Sequence, residues 1–224
     1  RAVLNEAKEQ DLNVMLMPRV EINRGGWIRS SHIGERMSPY QVRRWFEKYT
    51  EFILEMVKYA TAYKVKILSL GHELHYMAQY EDFWKEVIEK VREAFPKGQL
   101  TYSASSRNEF RQTGFWDQLD YIGLIADEKT HLNHRDEVED VVKKLDPFVE
   151  KVRYLKKLWK KPAIITRAAR NGNFERHSDG RVRKVHHHVQ ERFFHALHLS
   201  LDQEVEGIFF GDWSADPAHG GEKD

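Results

Sequence analysis

Short apolar segments alternate with amphipathic segments along almost the whole chain, and no other feature limits the fold as strongly. Six apolar segments are predicted to be strands, at residues 12–20, 65–71, 100–104, 121–126, 163–166 and 207–210. Strands that alternate regularly with helices form parallel βαβ units. The sequence therefore predicts an α/β fold that is built on a parallel sheet.

The clearest helical pattern covers residues 42–63, after a Ser38-Pro39 pair that marks a helix start. Its apolar residues recur at helical spacing: Trp45, Phe46, Tyr49, Phe52, Ile53, Met56 and Ala60. Further helices are predicted at residues 83–95, 136–159 and 185–201, and long loops at residues 23–38 and 170–183. Loops of that length after strands commonly serve a binding site or a partner.

Six strands fit either an open doubly wound sheet or a barrel. A complete (β/α)₈ barrel typically takes about 250 residues, and this chain has 224. No strand precedes its first predicted helix, and the chain stops soon after its last predicted strand. We therefore expect a single TIM-barrel-like (β/α)₈ domain over residues 1–224 that lacks the first two strands, as in a fragment or processed form.

Composition excludes several classes of function. The chain carries 36 basic and 35 acidic side chains, so its net charge of +1 gives no reason to expect nucleic acid or an anionic membrane as a partner. It has no cysteine, which excludes disulfides, thiolate metal sites and cysteine nucleophiles. No apolar run approaches the roughly 20 residues that span a bilayer. Hydrophobic residues make up 41% of the chain, as expected of a soluble globular protein.

Two of the predicted strands end in charged residues of opposite sign. The strand at residues 65–71 ends in Gly71 and is followed by Glu73, whereas the strand at residues 163–166 is followed by Arg167. The carboxyl ends of parallel strands face one crevice, where ligands bind. Two carboxyl groups in such a crevice indicate cleavage of a glycosidic bond. Here one of the two positions holds a cation.

Several motifs, in this order along the chain, together resemble one known family. They are VMLMPRVE at residues 14–21, LGHEL at 70–74, LTYSA at 100–104, FWDQLDYIG at 115–123, GIFF at 207–210 and DWSADP at 212–217. In combination they resemble glycoside hydrolase family 113, a family of β-mannanase-type enzymes on a (β/α)₈ barrel. The resemblance covers essentially the whole chain and corresponds to the third through eighth strands of that barrel.

The resemblance implies roles for Glu73 and Arg167. Retaining hydrolysis in the family uses an acid/base Glu after the fourth strand and a nucleophilic Glu after the seventh. Glu73 matches the acid/base position, within Gly-His-Glu-Leu where the family tends to have Gly-Thr-Glu-Leu. Arg167 stands at the nucleophile position. A guanidinium stays protonated at any working pH and cannot act as a nucleophile.

Other departures from the family pattern also fall at strand tips. Ser105-Ser106 replace an Asn-Trp-like pair, Ile125 and Asp127 replace an Asp and a Tyr, and Gly211 interrupts an aromatic run. The strand bodies keep their apolar pattern. This distribution predicts a barrel that is retained for shape after its chemistry was lost, and that acts as a glycan-binding or assembly module. A neighbouring guanidinium would also keep Glu73 ionised, whereas a general acid must hold its proton.

Several residues near strand tips are predicted to contact a bound oligosaccharide or polysaccharide. They are Arg19, Glu21, Ser105, Asp127, Asp212 and Trp213. Trp213 is the best candidate for a platform on which a sugar ring stacks, whereas Phe115 and Trp116 are expected to pack the barrel. Glu73 is open to three interpretations: a residual acid, an acceptor for sugar hydroxyls, or an ion-pair partner of Arg167. Arg167 itself fits an anionic ligand as an alternative.

Twelve histidines raise the question of a metal site, but their spacing does not favour one. The segment His72-Glu73-Leu74-His75 lacks the His-Glu-x-x-His spacing that places two ligands on one helical face. Three consecutive histidines at residues 186–188 fall inside a predicted helix, where they cannot converge on one ion. We therefore predict no metal and no cofactor.

Two further hypotheses remain open. The chain is an active glycoside hydrolase if a second carboxylate comes from elsewhere, with Glu21, Asp127, Glu128 and Asp212 as candidates. A separation from Glu73 of about 5–5.5 Å would then indicate retention, and about 6.5–9.5 Å inversion. Alternatively, the chain is a structural subunit in which a protein partner covers an open barrel edge. The resemblance implies an extracellular or cell-envelope location.

Overall fold

The fold comes from a computed structural model that describes residues 2–23, 27–28, 30–105, 108–126, 132–169, 173–176 and 182–211. At residues 2–3, 22–23, 27–28, 173–176 and 182–187 it describes the backbone alone. The chain divides into two compact units, Arg1–Leu124 and Ile125–Asp224.

The first unit contains three βα repeats and one hairpin. Its elements are α1 (Ala2–Glu9), β1 (Met15–Leu16), β2 (Ile22–Asn23), β3 (Trp27–Ile28), α2 (Pro39–Ala62), β4 (Ile67–His72), α3 (Glu81–Ala94), β5 (Gln99–Ala104), α4 (Glu109–Gln112) and β6 (Ile122–Ala126), which ends just inside the second unit. The parallel strands pair in the order β1, β4, β5, β6, while β2 and β3 pair antiparallel.

The second unit repeats the same arrangement on a smaller scale. Its elements are α5 (Val138–Trp159), β7 (Ala163–Ala168), β8 (Asn173–Arg176), β9 (Val182–His186), α6 (His187–Leu201) and β10 (Ile208–Phe210). Strands β7 and β10 are parallel, β8 and β9 are antiparallel, and α5 packs against α6. In both units a helix connects successive parallel strands, as the sequence predicts.

Helix α2 begins where its capping residues place it, three residues before the predicted start. The Ser38 hydroxyl accepts a hydrogen bond from the Gln41 N–H at 3.3 Å, and the Gln41 side chain accepts one from the Ser38 N–H at 2.8 Å. Pro39 occupies the first turn, where its missing N–H costs nothing. This reciprocal capping box satisfies donors that would otherwise lack partners at the helix start.

The core of the first unit is organised around Trp84 on α3. Its ring is fully buried and lies within 5.7 Å, between ring centroids, of four other aromatic rings: Phe46, Tyr49, Tyr102 and Phe115. Its indole N–H donates to the Met77 carbonyl at 2.9 Å. One side chain therefore ties α2, α3 and β5 to the segment between β4 and α3, which begins with Glu73.

All six predicted parallel strands are present, and the differences lie in the segments between them. The predicted loops at residues 23–38 and 170–183 were wrong in part, because they contain residues of the β2–β3 and β8–β9 hairpins. The helix predicted from residue 185 begins at His187, because residues 182–186 pair with β8. The strand predicted at residues 12–20 is paired only at Met15–Leu16; Pro18, which has no N–H to donate, lies two residues beyond.

Loss of the α2 cap should destabilise the protein measurably. We expect Ser38→Ala to lower the free energy of unfolding by about 1 kcal/mol, because the Gln41 N–H loses its acceptor. Urea denaturation followed by circular dichroism measures this. Ser38→Asp, which retains an acceptor at the same place, is the control. Equal stability of the alanine variant and the parent would contradict the prediction.

Candidate functional site

Glu73 occupies a strained backbone position directly after β4. Its φ angle is +49°, in the left-handed region that residues other than glycine seldom adopt. The Glu73 N–H donates to the Ser103 carbonyl at 3.1 Å, and the N–H of Leu74 donates to the Tyr102 hydroxyl at 3.2 Å. Both acceptors belong to β5, so the neighbouring strand holds the turn that presents this carboxylate.

The immediate surroundings of Glu73 explain the Gly-His-Glu sequence. A Cβ atom on Gly71 would lie 2.5 Å from the Tyr102 ring, so a side chain there would displace Tyr102. The His72 side chain is fully buried, and its Nδ1 lies 3.7 Å from Glu73 Oε2. The Glu73 side chain itself is 26% exposed, which leaves its carboxylate within reach of a ligand.

Glu109 is a buried carboxyl group close to Glu73 that the sequence reasoning missed. It is 0% exposed at the start of α4. Its Oε1 accepts a hydrogen bond from the Tyr102 hydroxyl, and its Oε2 accepts one from the Ser105 N–H at 2.8 Å. A Glu four residues after Ser105 is a weak signal in the sequence, because nothing there shows that it turns inward.

Burial raises the pKa of Glu109 from its ordinary value of 4.5 to about 7. Hydrogen bonds from Tyr102 and Ser105 favour the ionised form and oppose this effect, while the negative charge of Glu73 adds to it. Burial also raises the pKa of Tyr102 well above its ordinary value, with the Glu109 charge as the next contribution. Glu73, Tyr102 and Glu109 therefore form an electrostatically coupled group.

Three of the predicted ligand-binding residues have partners within the protein. The Ser105 N–H is bound to Glu109. Arg19 and Glu21 form an ion pair, with Nη2 of Arg19 3.6 Å from Oε1 of Glu21 and both side chains exposed. An exposed pair of this kind contributes little to stability and leaves both groups accessible. Their contact with a glycan stays a prediction.

In the second unit, Arg167 lies within β7 rather than after it, because the strand continues two residues beyond the predicted end at Thr166. Its side chain runs across Gly211, at the end of β10. A Cβ atom on Gly211 would lie 2.9 Å from Cγ of Arg167 and 3.2 Å from Nε. The residues at positions 167 and 211 are therefore complementary, since the missing side chain at residue 211 makes room for the arginine.

Other predicted residues fall outside the described part of the chain: Asp127, Glu128, Asp212 and Trp213. Their roles stay predictions, as does the ion pair between Glu73 and Arg167, which belong to different units.

Within the described residues, no cluster of three His, Asp or Glu side chains could hold a metal ion. None of the described helices is both long and apolar enough to cross a membrane. Phe115 and Trp116 are fully buried, as expected of residues that pack the core.

A shallow pocket of about 300 Å³ lies in the first unit beside the starts of α2 and α3. Its lining is mainly aromatic and apolar: Met37, Pro39, Tyr40, Val42, Arg43, Tyr80 and Phe83. Tyr40 is 72% exposed. In a parallel βαβ unit, the start of each helix lies on the same side as the carboxyl end of the preceding strand, which is the side that carries Glu73.

Comparison with known proteins identifies the family that the chain matches and solved structures with a similar fold. Residues 1–222 match the model of glycoside hydrolase family 113. No curated protein matches the chain. Among solved structures, the GH113 β-mannanase AaManA from Alicyclobacillus acidocaldarius, in complex with ManMIm, superposes with a TM-score of 0.76 at 18% identity, over 100% of this chain and 70% of that one.

Two more solved structures extend the comparison. A GH113 β-1,4-mannanase, in a complex structure, gives a TM-score of 0.71 at 22% identity and covers 95% of this chain and 67% of its own. A β-glucuronidase from Ruminococcus gnavus gives 0.67 at 15% identity and covers 95% of this chain and 36% of its own. At these identities the similarity concerns the fold, and it confirms the predicted α/β, TIM-barrel-like class. The chain spans about two thirds of the mannanase chains.

The buried carboxyl group should make stability depend on pH. The native state retains the Glu109 proton up to about pH 7, whereas the unfolded chain releases it near pH 4.5. The contribution of Glu109 to the free energy of unfolding is therefore fully present below pH 4.5. It decreases by about 3 kcal/mol as the pH rises to about 7. We expect the free energy of unfolding of Glu109→Gln, relative to that of the parent, to rise by about this amount over that pH range. Urea denaturation at several pH values measures it, with the exposed Glu89→Gln as control; parallel pH profiles would contradict the prediction.

The packing of Arg167 on Gly211 can be tested by a double-mutant cycle. We expect Gly211→Ala to destabilise the protein by about 1–3 kcal/mol, because the new methyl group collides with the arginine stem. Arg167→Ala should remove most of that cost, giving a coupling above about 0.5 kcal/mol. Gly207→Ala is the control, since a Cβ there meets no atom within 4 Å. Additive effects at residues 167 and 211 would argue against the contact.

Proposed function

The chain belongs to glycoside hydrolase family 113, and we propose that it is a glycan-binding member of that family that no longer hydrolyses its ligand. The observation that carries this proposal is Arg167 on β7, at the position that the sequence resemblance gives to the family's nucleophile. Retaining hydrolysis needs a carboxylate there to attack the anomeric carbon. A guanidinium has no lone pair to offer and remains charged at working pH.

The packing around Arg167 supports the proposal, because a second position, Gly211, accommodates the arginine side chain. The arginine stem lies against Gly211, where a larger side chain would collide with it. A chain with the arginine therefore also needs a small residue at the end of β10. Residues 167 and 211 thus together accommodate a side chain that cannot perform the nucleophilic step.

The first unit offers no replacement nucleophile at Glu109. A nucleophile has to touch the anomeric carbon, and Glu109 is 0% exposed with both oxygens engaged by Tyr102 and Ser105. An active hydrolase would have to draw its second carboxylate from Glu21, Asp127, Glu128 or Asp212. Release of reducing ends from β-1,4-linked oligosaccharides decides between that alternative and the proposal.

Several features of the chain suit a bound glycan. The partly exposed Glu73 carboxylate can accept hydrogen bonds from sugar hydroxyls, and it is held in place from β5. Aromatic rings such as Tyr40 and Tyr80 line the pocket beside the starts of α2 and α3. Aromatic faces of this kind can stack on the apolar faces of sugar rings. The solved relatives named as β-1,4-mannanases make β-1,4-linked manno-oligosaccharides the first ligand class to test.

The test combines a hydrolysis assay with a binding measurement. We expect the parent protein to release no reducing ends from β-1,4-mannohexaose or cellohexaose, and to bind one of them in isothermal titration calorimetry. Glu73→Ala should weaken that binding about tenfold, because a hydrogen bond to a charged acceptor is lost. Steady turnover that Glu73→Gln abolishes would overturn the proposal in favour of an active hydrolase.

A gain-of-function pair sharpens the test. Arg167→Glu restores a carboxylate on β7, while Arg167→Gln removes the charge without adding one. If the arginine is what silences the site, low turnover of an activated aryl β-mannoside should appear in Arg167→Glu and be absent from Arg167→Gln. It should disappear again when Glu73→Gln is added.

A further inference from the structure

The strained turn at Glu73 needs an explanation, because a left-handed φ at a residue other than glycine persists only where its surroundings enforce it. Two hydrogen bonds from β5 do so: Ser103 O accepts from the Glu73 N–H, and the Tyr102 hydroxyl accepts from the Leu74 N–H. The first is an ordinary contact between neighbouring strands. The second depends on one side chain and on the direction in which its hydroxyl points.

Glu109 determines that direction. The Tyr102 hydroxyl has one proton, which it donates to Oε1 of Glu109, so its lone pairs remain available to the Leu74 N–H. The Ser105 N–H holds the other carboxyl oxygen and fixes the rotation of the Glu109 carboxyl group. The Tyr102 ring cannot shift easily, since Trp84, Phe115 and Trp116 surround it and Gly71 lies against its edge.

We propose that Glu109 is a positioning residue for Glu73, acting through Tyr102 to fix the backbone that carries the Glu73 carboxylate and through its own charge to set the field around it. The proposal rests on the proposed function in one respect, that Glu73 is the group that meets the glycan. It assigns Glu109 no contact with the ligand. Its role is to keep the acceptor where sugar hydroxyls can reach it.

The choice of a carboxyl group at residue 109 supports this role. Two donors, the Tyr102 hydroxyl and the Ser105 N–H, point at it, and an ionised carboxyl group is acceptor-only on both oxygens. A buried carboxyl group is costly, and hydrophobic residues fill such space at less expense. A group that is both costly and fully hydrogen-bonded specifies geometry rather than adding stability.

The groups that face this network set the controls. They are Glu73 and His72 at the end of β4, Tyr102 on β5 and Tyr49 on α2. Tyr49 provides a control for Tyr102, since its buried hydroxyl also bonds to the backbone of this region: it donates to Leu70 O on β4 at 2.8 Å, whereas the Tyr102 hydroxyl accepts from the Leu74 N–H. Tyr49→Phe thus removes one buried hydrogen bond without touching Glu109, whereas Tyr102→Phe removes two.

The experiment follows backbone amides by nuclear magnetic resonance in the full chain between pH 5 and 9, without ligand. In the parent, we expect the Leu74 amide to shift with a midpoint near neutral pH as Glu109 ionises. That shift should be absent from Glu109→Gln, much smaller in Tyr102→Phe, where only the field of the Glu109 charge remains, and retained in Tyr49→Phe. A Leu74 titration that survives Glu109→Gln would belong to another group and overturn the proposal, as would a Leu74 amide that does not respond to pH in the parent.

Binding supplies the second readout. Tyr102→Phe should weaken binding of β-1,4-mannohexaose about tenfold, and Tyr49→Phe less than about twofold, although both remove a buried hydroxyl group. Equal affinities of the two variants would overturn the positioning role. If the parent does not bind any glycan tested, the proposed function fails instead, and the ligand-free amide titration still decides the role of Glu109.

Discussion

The Tyr102 hydroxyl is the interaction on which the candidate site depends. It accepts from the Leu74 N–H and donates to Glu109, so it links the turn after β4 to the start of α4 through a single oxygen atom. The ring that carries it lies against Trp84, the residue that organises the core of the first unit. The geometry of Glu73 therefore follows from core packing, through one aromatic side chain, rather than from the turn sequence alone.

The second unit shows how the end of a strand accommodates an arginine. Replacing a carboxylate by an arginine adds length as well as reversing charge, and the added length has to lie somewhere. At the end of β7 it lies across Gly211, which carries no side chain to oppose it. Under the proposed function, the charge of Arg167 rules out a nucleophile on β7, and its volume accounts for the glycine at the end of β10.

The sequence predicts the strands well because their apolar pattern is local, and all six predicted strands occur. It misses the β2–β3 and β8–β9 hairpins because their strands have only two to five residues and mix apolar with polar or charged side chains, so that no continuous apolar run marks them. Glu73 and Arg167 are found because they follow apolar runs directly. Glu109 is missed because its burial and its bonds to Tyr102 and Ser105 arise from tertiary packing, which no local pattern records.

The Glu109 network also bears on the choice between a glycan-binding module and a structural subunit. A barrel needed for shape alone has no use for a fully buried carboxyl group or a strained residue at Glu73, because apolar packing would fill the first position and glycine would relax the second. Both features cost stability, and both act on the position of one partly exposed carboxylate. They make physical sense where Glu73 still meets a ligand. The proposed loss of the nucleophile and the positioned acceptor are consistent with each other, because both describe binding without turnover.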